Sequence, residues 1–176
     1  MKVKTLLEGK PFMTEYGIVG YSTVVLIACD DEKNILYDCG SKGCALQLKE
    51  ALEKAGMKPE DITHVVISHL HFDHVGNLPL FSNAEILLNK IEWESANQTP
   101  DEWHSIQTLA YLEKRGNLRF VKEGDIIAEE VSVMELPGHT PGLIGLRCGA
   151  ETILCSDAMK NRYELWKNIP LMSQNL

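Results

Sequence analysis

Three imidazoles and one carboxylate fall within six consecutive positions, His69-Leu70-His71-Phe72-Asp73-His74. They follow directly on an apolar run, Val65-Val66-Ile67, that reads as a short buried strand. Such side chains are costly to bury without a partner. A chain that sets four of them at a strand end is therefore committed to a fold that closes other elements around them. His69 and His71 are two apart, so in an extended segment both rings project to the same side and one divalent ion can take both. Asp73 and His74 come after the chain turns and can face a second ion close by. Zinc accepts imidazole nitrogen and carboxylate oxygen at about 2.0–2.2 Å, and two ions roughly 3.5–4 Å apart can share one hydroxide. The pattern points to metal-dependent hydrolysis.

The rest of the chain supplies a frame for that loop. Val24 to Cys29 and Ile35 to Tyr37 read as strands joined by the polar turn Asp30 to Asn34. Gly43 to Ala55 reads as a helix, with Ala45, Leu48, Ala51, Leu52 and Ala55 on one face and Gly56 closing it. Ala84 to Leu88 is a further strand. Thr99-Pro100-Asp101-Glu102 has the signature of a helix start, with Thr99 as N-cap, and the spacing predicts a helix from there to about Arg115, stopped at Gly116-Asn117. Short strands follow around Leu118 to Val121, Ile126 to Ala128, Val131 to Leu136, Leu143 to Arg147 and Thr152 to Cys155. Strands early and late with helices between predict an α+β sandwich, sheets inside and helices outside.

Length and composition bound the setting. The 176 residues, 44% of them apolar, suit a single domain over residues 1–176. No apolar run approaches the ~18 residues of a membrane span. The N-terminus lacks the pattern of a secretory signal, so the expected location is cytoplasmic. Cys29, Cys39, Cys44, Cys148 and Cys155 form an odd set without a Cys-x-x-Cys pair and are expected to be reduced and structural. A net charge of −8 argues against a broad nucleic-acid surface. The expected partner is a small-molecule substrate, and an oligomer is left open.

Four blocks together carry a resemblance. Besides Ser68-His69-Leu70-His71-Phe72-Asp73-His74-Val75-Gly76-Asn77, the chain has Asp38 in Tyr37-Asp38-Cys39-Gly40, then Pro137-Gly138-His139-Thr140-Pro141-Gly142, then Ser156-Asp157-Ala158. In content and order these resemble the metallo-β-lactamase superfamily with its His-x-His-x-Asp-His signature. The loop is most similar to the lactonase and related small-hydrolase branches. The resemblance implies a four-layer αββα sandwich and a hydrolase whose metal-bound hydroxide attacks an ester, thioester, lactone or similar acyl carbon.

Position by position, it implies that His69, His71 and His139 hold a first metal. Asp73 and His74 would hold a second, with Asp157 bridging both. Asp38 would orient the site through a ligand histidine, and Asp73 would also pass a proton to the leaving group. Zinc, one ion or two, is the implied cofactor, with iron or manganese as alternatives. Histidine at position 71, where the redox di-iron branch typically has a carboxylate, favours hydrolysis.

Two departures from the family pattern stand out. Leu143 replaces a histidine common after the Pro-Gly-His-Thr-Pro-Gly block, at a position that is not a usual ligand. The family also closes its second site with a histidine in a C-terminal Gly-His block, whereas this chain ends at Leu176 with no histidine after His139. The expectation is therefore a truncated or incomplete chain, lacking the last elements of the fold.

Other residues carry weaker signals. Tyr163, six residues past Asp157, is a candidate donor to a substrate carbonyl. Asp38 could equally belong to a plain turn. His64, before a strand, and His104, placed on the expected helix beside Trp103, read as ordinary residues. Trp93, Trp103 and Trp166 read first as helix-packing anchors and second as pocket walls. Two alternatives compete with the acyl hydrolase: a phosphodiesterase or RNA-processing nuclease of the same superfamily, and a non-catalytic chain with an incomplete metal site.

Overall fold

The computed structural model describes residues 1–15 and 17–169, and the C-terminal run 170–176 lies outside them. The chain opens with strand β1 (Lys2–Leu7) and a short hairpin, β2 (Met13–Thr14) with β3 (Gly17–Ile18). A second hairpin follows, β4 (Val24–Ala28) with β5 (Asn34–Tyr37). Helix α1 (Ala45–Lys54) then leads to β6 (His64–Val66), and the single turn α2 (Phe72–Val75) leads to β7 (Glu85–Asn89). Helices α3 (Lys90–Gln98) and α4 (Ile106–Arg115) precede β8 (Leu118–Val121). The last part holds β9 (Ile126–Ala128), β10 (Val131–Glu135), β11 (Ile144–Cys148), β12 (Thr152–Leu154) and α5 (Arg162–Lys167).

Two sheets result. The first runs β1-β4-β5-β6-β7-β8, antiparallel at the β1 end and parallel from β5 onward. The second is an antiparallel meander, β12-β11-β10-β9. The continuous apolar run of β4 is explained by its place. Alternate side chains point to opposite faces, and both faces of this strand are covered. Val24 and Leu26 join Leu36, Leu48, Leu52, Leu109 and Leu112 beneath the helices. Val25 and Ile27 join Ile35, Val133, Ile144 and Leu146 between the sheets.

Strand β10 instead alternates, with Val131 and Val133 buried and Ser132 turned outward. One face of it meets the first sheet and the other does not. On the second sheet Ile126 and Ile153 are exposed. The α+β sandwich is as the sequence predicts.

The helix expected over 99–115 is different. Thr99 does not open a helix; it closes α3, its backbone N–H donating to Ser95 O at 2.9 Å. Pro100 cannot extend that helix because it has no N–H to give. Asp101 Oδ1 accepts from Trp103 N at 2.9 Å, which holds a turn in place of a helical start. Ser105 is the working N-cap of α4, and Gly116, with φ of 74°, ends it where expected. His104 therefore lies on a loop, not a helix, and pairs with His71 through an isolated β-bridge. Helix α3 and strand β1 carry no strong signal in the sequence and escape prediction.

Candidate metal centre

Every cluster residue sits where a strand ends at the same rim of the sandwich. Asp38 follows β5, His69 to His74 follow the neighbouring parallel strand β6, and ligand sites in sheets of this type gather at such carboxyl ends. The second sheet supplies the remainder: His139 from the β10–β11 loop and Asp157 from the turn after β12. Residues far apart in sequence thus meet across the inter-sheet core.

The donor atoms face one another at ligand spacing. His139 Nε2 is 3.1 Å from His71 Nδ1. Asp157 reaches both sides, Oδ2 at 3.4 Å from His139 Nε2 and Oδ1 at 3.5 Å from His74 Nε2. Asp73 Oδ2 is 3.6 Å from His74 Nε2. Atoms bound tetrahedrally at about 2.0–2.2 Å from one ion lie about 3.3–3.6 Å apart. Two groups share His69: His69 with His71 and His139, and His69 with His74 and Asp157, the ligand atoms of each within 4.8 Å of one another. Asp73 adjoins the second group through His74.

Hydrogen bonds around the rings set which nitrogen is free. Asp38 is buried and held at φ of 57°, a left-handed conformation that aspartate tolerates better than most residues. Its Oδ2 lies 2.8 Å from His74 Nδ1, and its Oδ1 accepts from Ser68 N at 2.8 Å. An ionised carboxylate only accepts, so His74 carries its proton on Nδ1 and presents Nε2 to Asp73 and Asp157. The Ser68 hydroxyl, 2.8 Å from Asp38 Oδ2, stands 3.0 Å from His69 Nδ1 and passes the same orientation on. Among the described residues, His69 Nε2 is buried with no hydrogen-bond partner. An orphaned buried imidazole nitrogen among nitrogen and oxygen donors at these spacings fits a divalent ion.

The protonation of the rings follows their neighbours. Burial, then the charge of the surrounding histidines, drives the His69 imidazole well below its ordinary value. His71 is lowered to about 3 by burial and the nearby His139. At His74 burial opposes the charged form, yet Asp38, Asp73 and Asp157 outweigh it and raise the ring to about 9. Burial, helped by Asp157, raises the Asp73 carboxyl.

A cavity of about 570 Å³ opens over the site. His71, Asp73, His74, His139 and Asp157 form its floor, and Tyr21, Phe72, Trp103, Ile153, Met159 and Lys160 are among its walls. Trp103 is therefore a wall residue. It stacks on Phe72 with ring centroids 6.3 Å apart. Tyr163 does not line this cavity; its ring is 57% exposed and packs edge-on against Trp166.

Three residues near the site carry no sequence motif. Asp101 lies between two histidines, Oδ2 at 3.4 Å from His71 Nε2 and Oδ1 at 2.8 Å from His104 Nδ1. These three side chains make a further group of potential ligands. Glu92, on α3, is 1% exposed and accepts from Leu70 N and Gly142 N. No local pattern in the sequence singles out Glu92 on α3. His104 becomes a candidate only once the 99–105 segment is recognised as a turn.

A model of the metallo-beta-lactamase superfamily matches residues 17–156. This chain belongs to that superfamily. Among relatives of the superfamily member, an N-acyl homoserine lactonase of Bacillus sp is 32% identical over 124 residues, 68% of this chain and 47% of the relative. Metallo-beta-lactamase domain-containing protein 1 of Xenopus laevis is 33% identical over 112 residues, 64% of this chain and 42% of that protein. The chain thus spans less than half the length of these two curated relatives. The fold is shared with an N-acyl homoserine lactone hydrolase solved with N-hexanoyl-L-homoserine at its catalytic metal centre. That match has a TM-score of 0.69 at 18% identity, over 93% of this chain and 74% of the other. A Thermotoga maritima protein assigned to the metallo-beta-lactamases matches with a TM-score of 0.71 at 24% identity, over 82% of this chain and 70% of that one.

Proposed function

We propose that this superfamily member is a metal-dependent hydrolase of small acyl substrates: esters, thioesters, lactones or related carbonyl compounds. The observation that carries the reading is the facing pair His71 Nδ1 and His139 Nε2, 3.1 Å apart, with Asp157 reaching from His139 to His74. In this reading His69, His71 and His139 would hold one ion, His74 and Asp73 would hold a second, and Asp157 would serve both. Zinc suits the imidazole-rich set, with iron or manganese as alternatives. A divalent ion supplies a water nucleophile at neutral pH and an electrophile for the carbonyl oxygen.

The chain's own residues do the rest. Asp38 locks His74 by its Nδ1 and, through Ser68, His69, so that ligand nitrogens need no reorganisation. Asp73, whose carboxyl is raised by burial, is placed to give a proton to the leaving-group oxygen. Tyr21, Phe72 and Trp103 offer an apolar wall for an acyl chain and exclude water from it. The lactonases among the relatives support a lactone as the first substrate to try.

The test is a panel of esters, thioesters and lactones given to the zinc-loaded and the chelated protein. Hydrolysis confined to the loaded form supports the reading. Equal turnover after chelation sinks it.

A further inference from the structure

We propose that Glu92 is a positioning residue that sets the three-histidine half of the site by clamping its two loops together. It sits in the first turn of α3, three residues after the N-cap Asn89, which ends the strand adjacent to β6. Its two carboxylate oxygens are used separately. Oε1 accepts the N–H of Leu70, the residue between His69 and His71, at 2.9 Å. Oε2 accepts the N–H of Gly142, three residues beyond His139, at 3.1 Å. The first loop belongs to the first sheet and the second to the other sheet, so one side chain spans the seam on which the ligand spacing depends.

Three features make this a built contact. Glu92 is 1% exposed, and a buried acid persists only when its oxygens are satisfied. The two backbone donors, with the N-terminal end of α3, supply that stabilisation without a cation. Gly142 packs so closely that a Cβ there would lie 2.1 Å from Glu92 N, so glycine at 142 is what allows the approach. A second tie, Ile144 N donating to Ser68 O at 3.0 Å, holds the first loop just before His69. The clamp holds it just after. The two ties fix the backbone on either side of His69, and the clamp at Leu70 sets the start of His71, whose Nδ1 stands 3.1 Å from His139 Nε2.

Glutamine in place of Glu92 keeps the shape but offers one acceptor oxygen, and its NH₂ group, in place of the other oxygen, sets a donor against a backbone N–H. This inference rests on the metal-site reading, and the experiment separates the two. Zinc affinity is measured by chelator competition, and the ligand field by the visible spectrum of the cobalt form, for wild type, Glu92→Gln and Glu92→Asp. Leu112→Ala, a buried change in α4 away from the site, serves as the control for general destabilisation.

Expected is a loss of zinc affinity of about 10–100-fold in Glu92→Gln, the size usual for outer partners of metal ligands, with a shifted cobalt spectrum. A smaller loss is expected in Glu92→Asp, which retains the charge and also serves if the glutamine variant does not fold. Leu112→Ala should lower the melting temperature and leave affinity and spectrum alone. Wild-type affinity and spectrum in the folded Glu92 variants overturn the clamp while leaving the metal site standing. So does an equal loss of affinity in Leu112→Ala. Wild-type protein that takes up no zinc overturns both.

Discussion

His71 and His74 lie three residues apart on one loop, are both buried, and are driven in opposite directions. His71 is lowered to about 3 and His74 raised to about 9. Burial disfavours the charged ring in both cases, so burial does not explain the difference. Company does. His71 is packed against the rings of His69 and His139, with ring centroids 4.5 and 4.9 Å away. His74 is ringed by Asp38 at 2.8 Å, Asp157 at 3.5 Å and Asp73 at 3.6 Å. One half of the site is made mainly of imidazoles. In the other, three carboxylates favour the protonated His74 ring, whose proton an incoming cation would have to displace.

That contrast can be broken or sharpened by substitution, beginning with the ligands. His71→Ala should remove metal-dependent hydrolysis to the detection limit and lower the metal content by about one ion per chain, read by elemental analysis. Retained turnover with unchanged metal content would show that the neutral half is not where the ion sits. Asp157→Ala comes next, because its two oxygens serve both halves. It should weaken binding of every ion the chain holds, beyond the ~10–100-fold usual for losing an outer partner, whereas Asp73→Ala should weaken the carboxylate half alone. Titrating both variants with zinc in a calorimeter distinguishes a bridging carboxylate from an ordinary one.

Asp38→Asn should act more mildly. It removes the charge holding His74 Nδ1 and reaches the three-histidine set only indirectly, through Ser68 and His69. A loss of about 10–100-fold in affinity is expected at the carboxylate half, with a smaller loss at the other half in chelator competition. The smallest effect is expected at Tyr163, whose ring lies outside the cavity lining and rests on Trp166. Tyr163→Phe should change kcat/KM less than about twofold. A larger drop would mean that α5 folds over the substrate.

Much of the site is legible in the amino-acid sequence. The six residues from His69 to His74, the Pro137 to Gly142 turn and Asp157 declare themselves because ligand chemistry needs rare side chains at tight local spacing. Strands β4 to β7 are legible too, since burial on both faces leaves an unbroken apolar run. The 99–105 segment misleads because Thr-Pro-Asp-Glu is as good at ending one helix as at starting another. The capping bonds of Thr99 and Ser105 decide between the two, and they are invisible without α3. Glu92 is invisible for a related reason. Its partners are backbone N–H groups 22 and 50 residues away, and a backbone group leaves no mark on the sequence.

What the sequence determined by itself is a cluster of nitrogen and oxygen donors directly after a strand, and the order of the blocks that places the chain in its superfamily. What only the tertiary structure decided is which donors face which. His139 and Asp157 arrive from the other sheet, Asp38 selects the nitrogen that His74 presents, and three carboxylates surround His74 while the rings of His69, His71 and His139 pack against one another. These depend on distances of a few ångströms between residues far apart in the chain. Electrostatic and hydrogen-bond energies vary steeply over such distances, and local pattern carries no record of them.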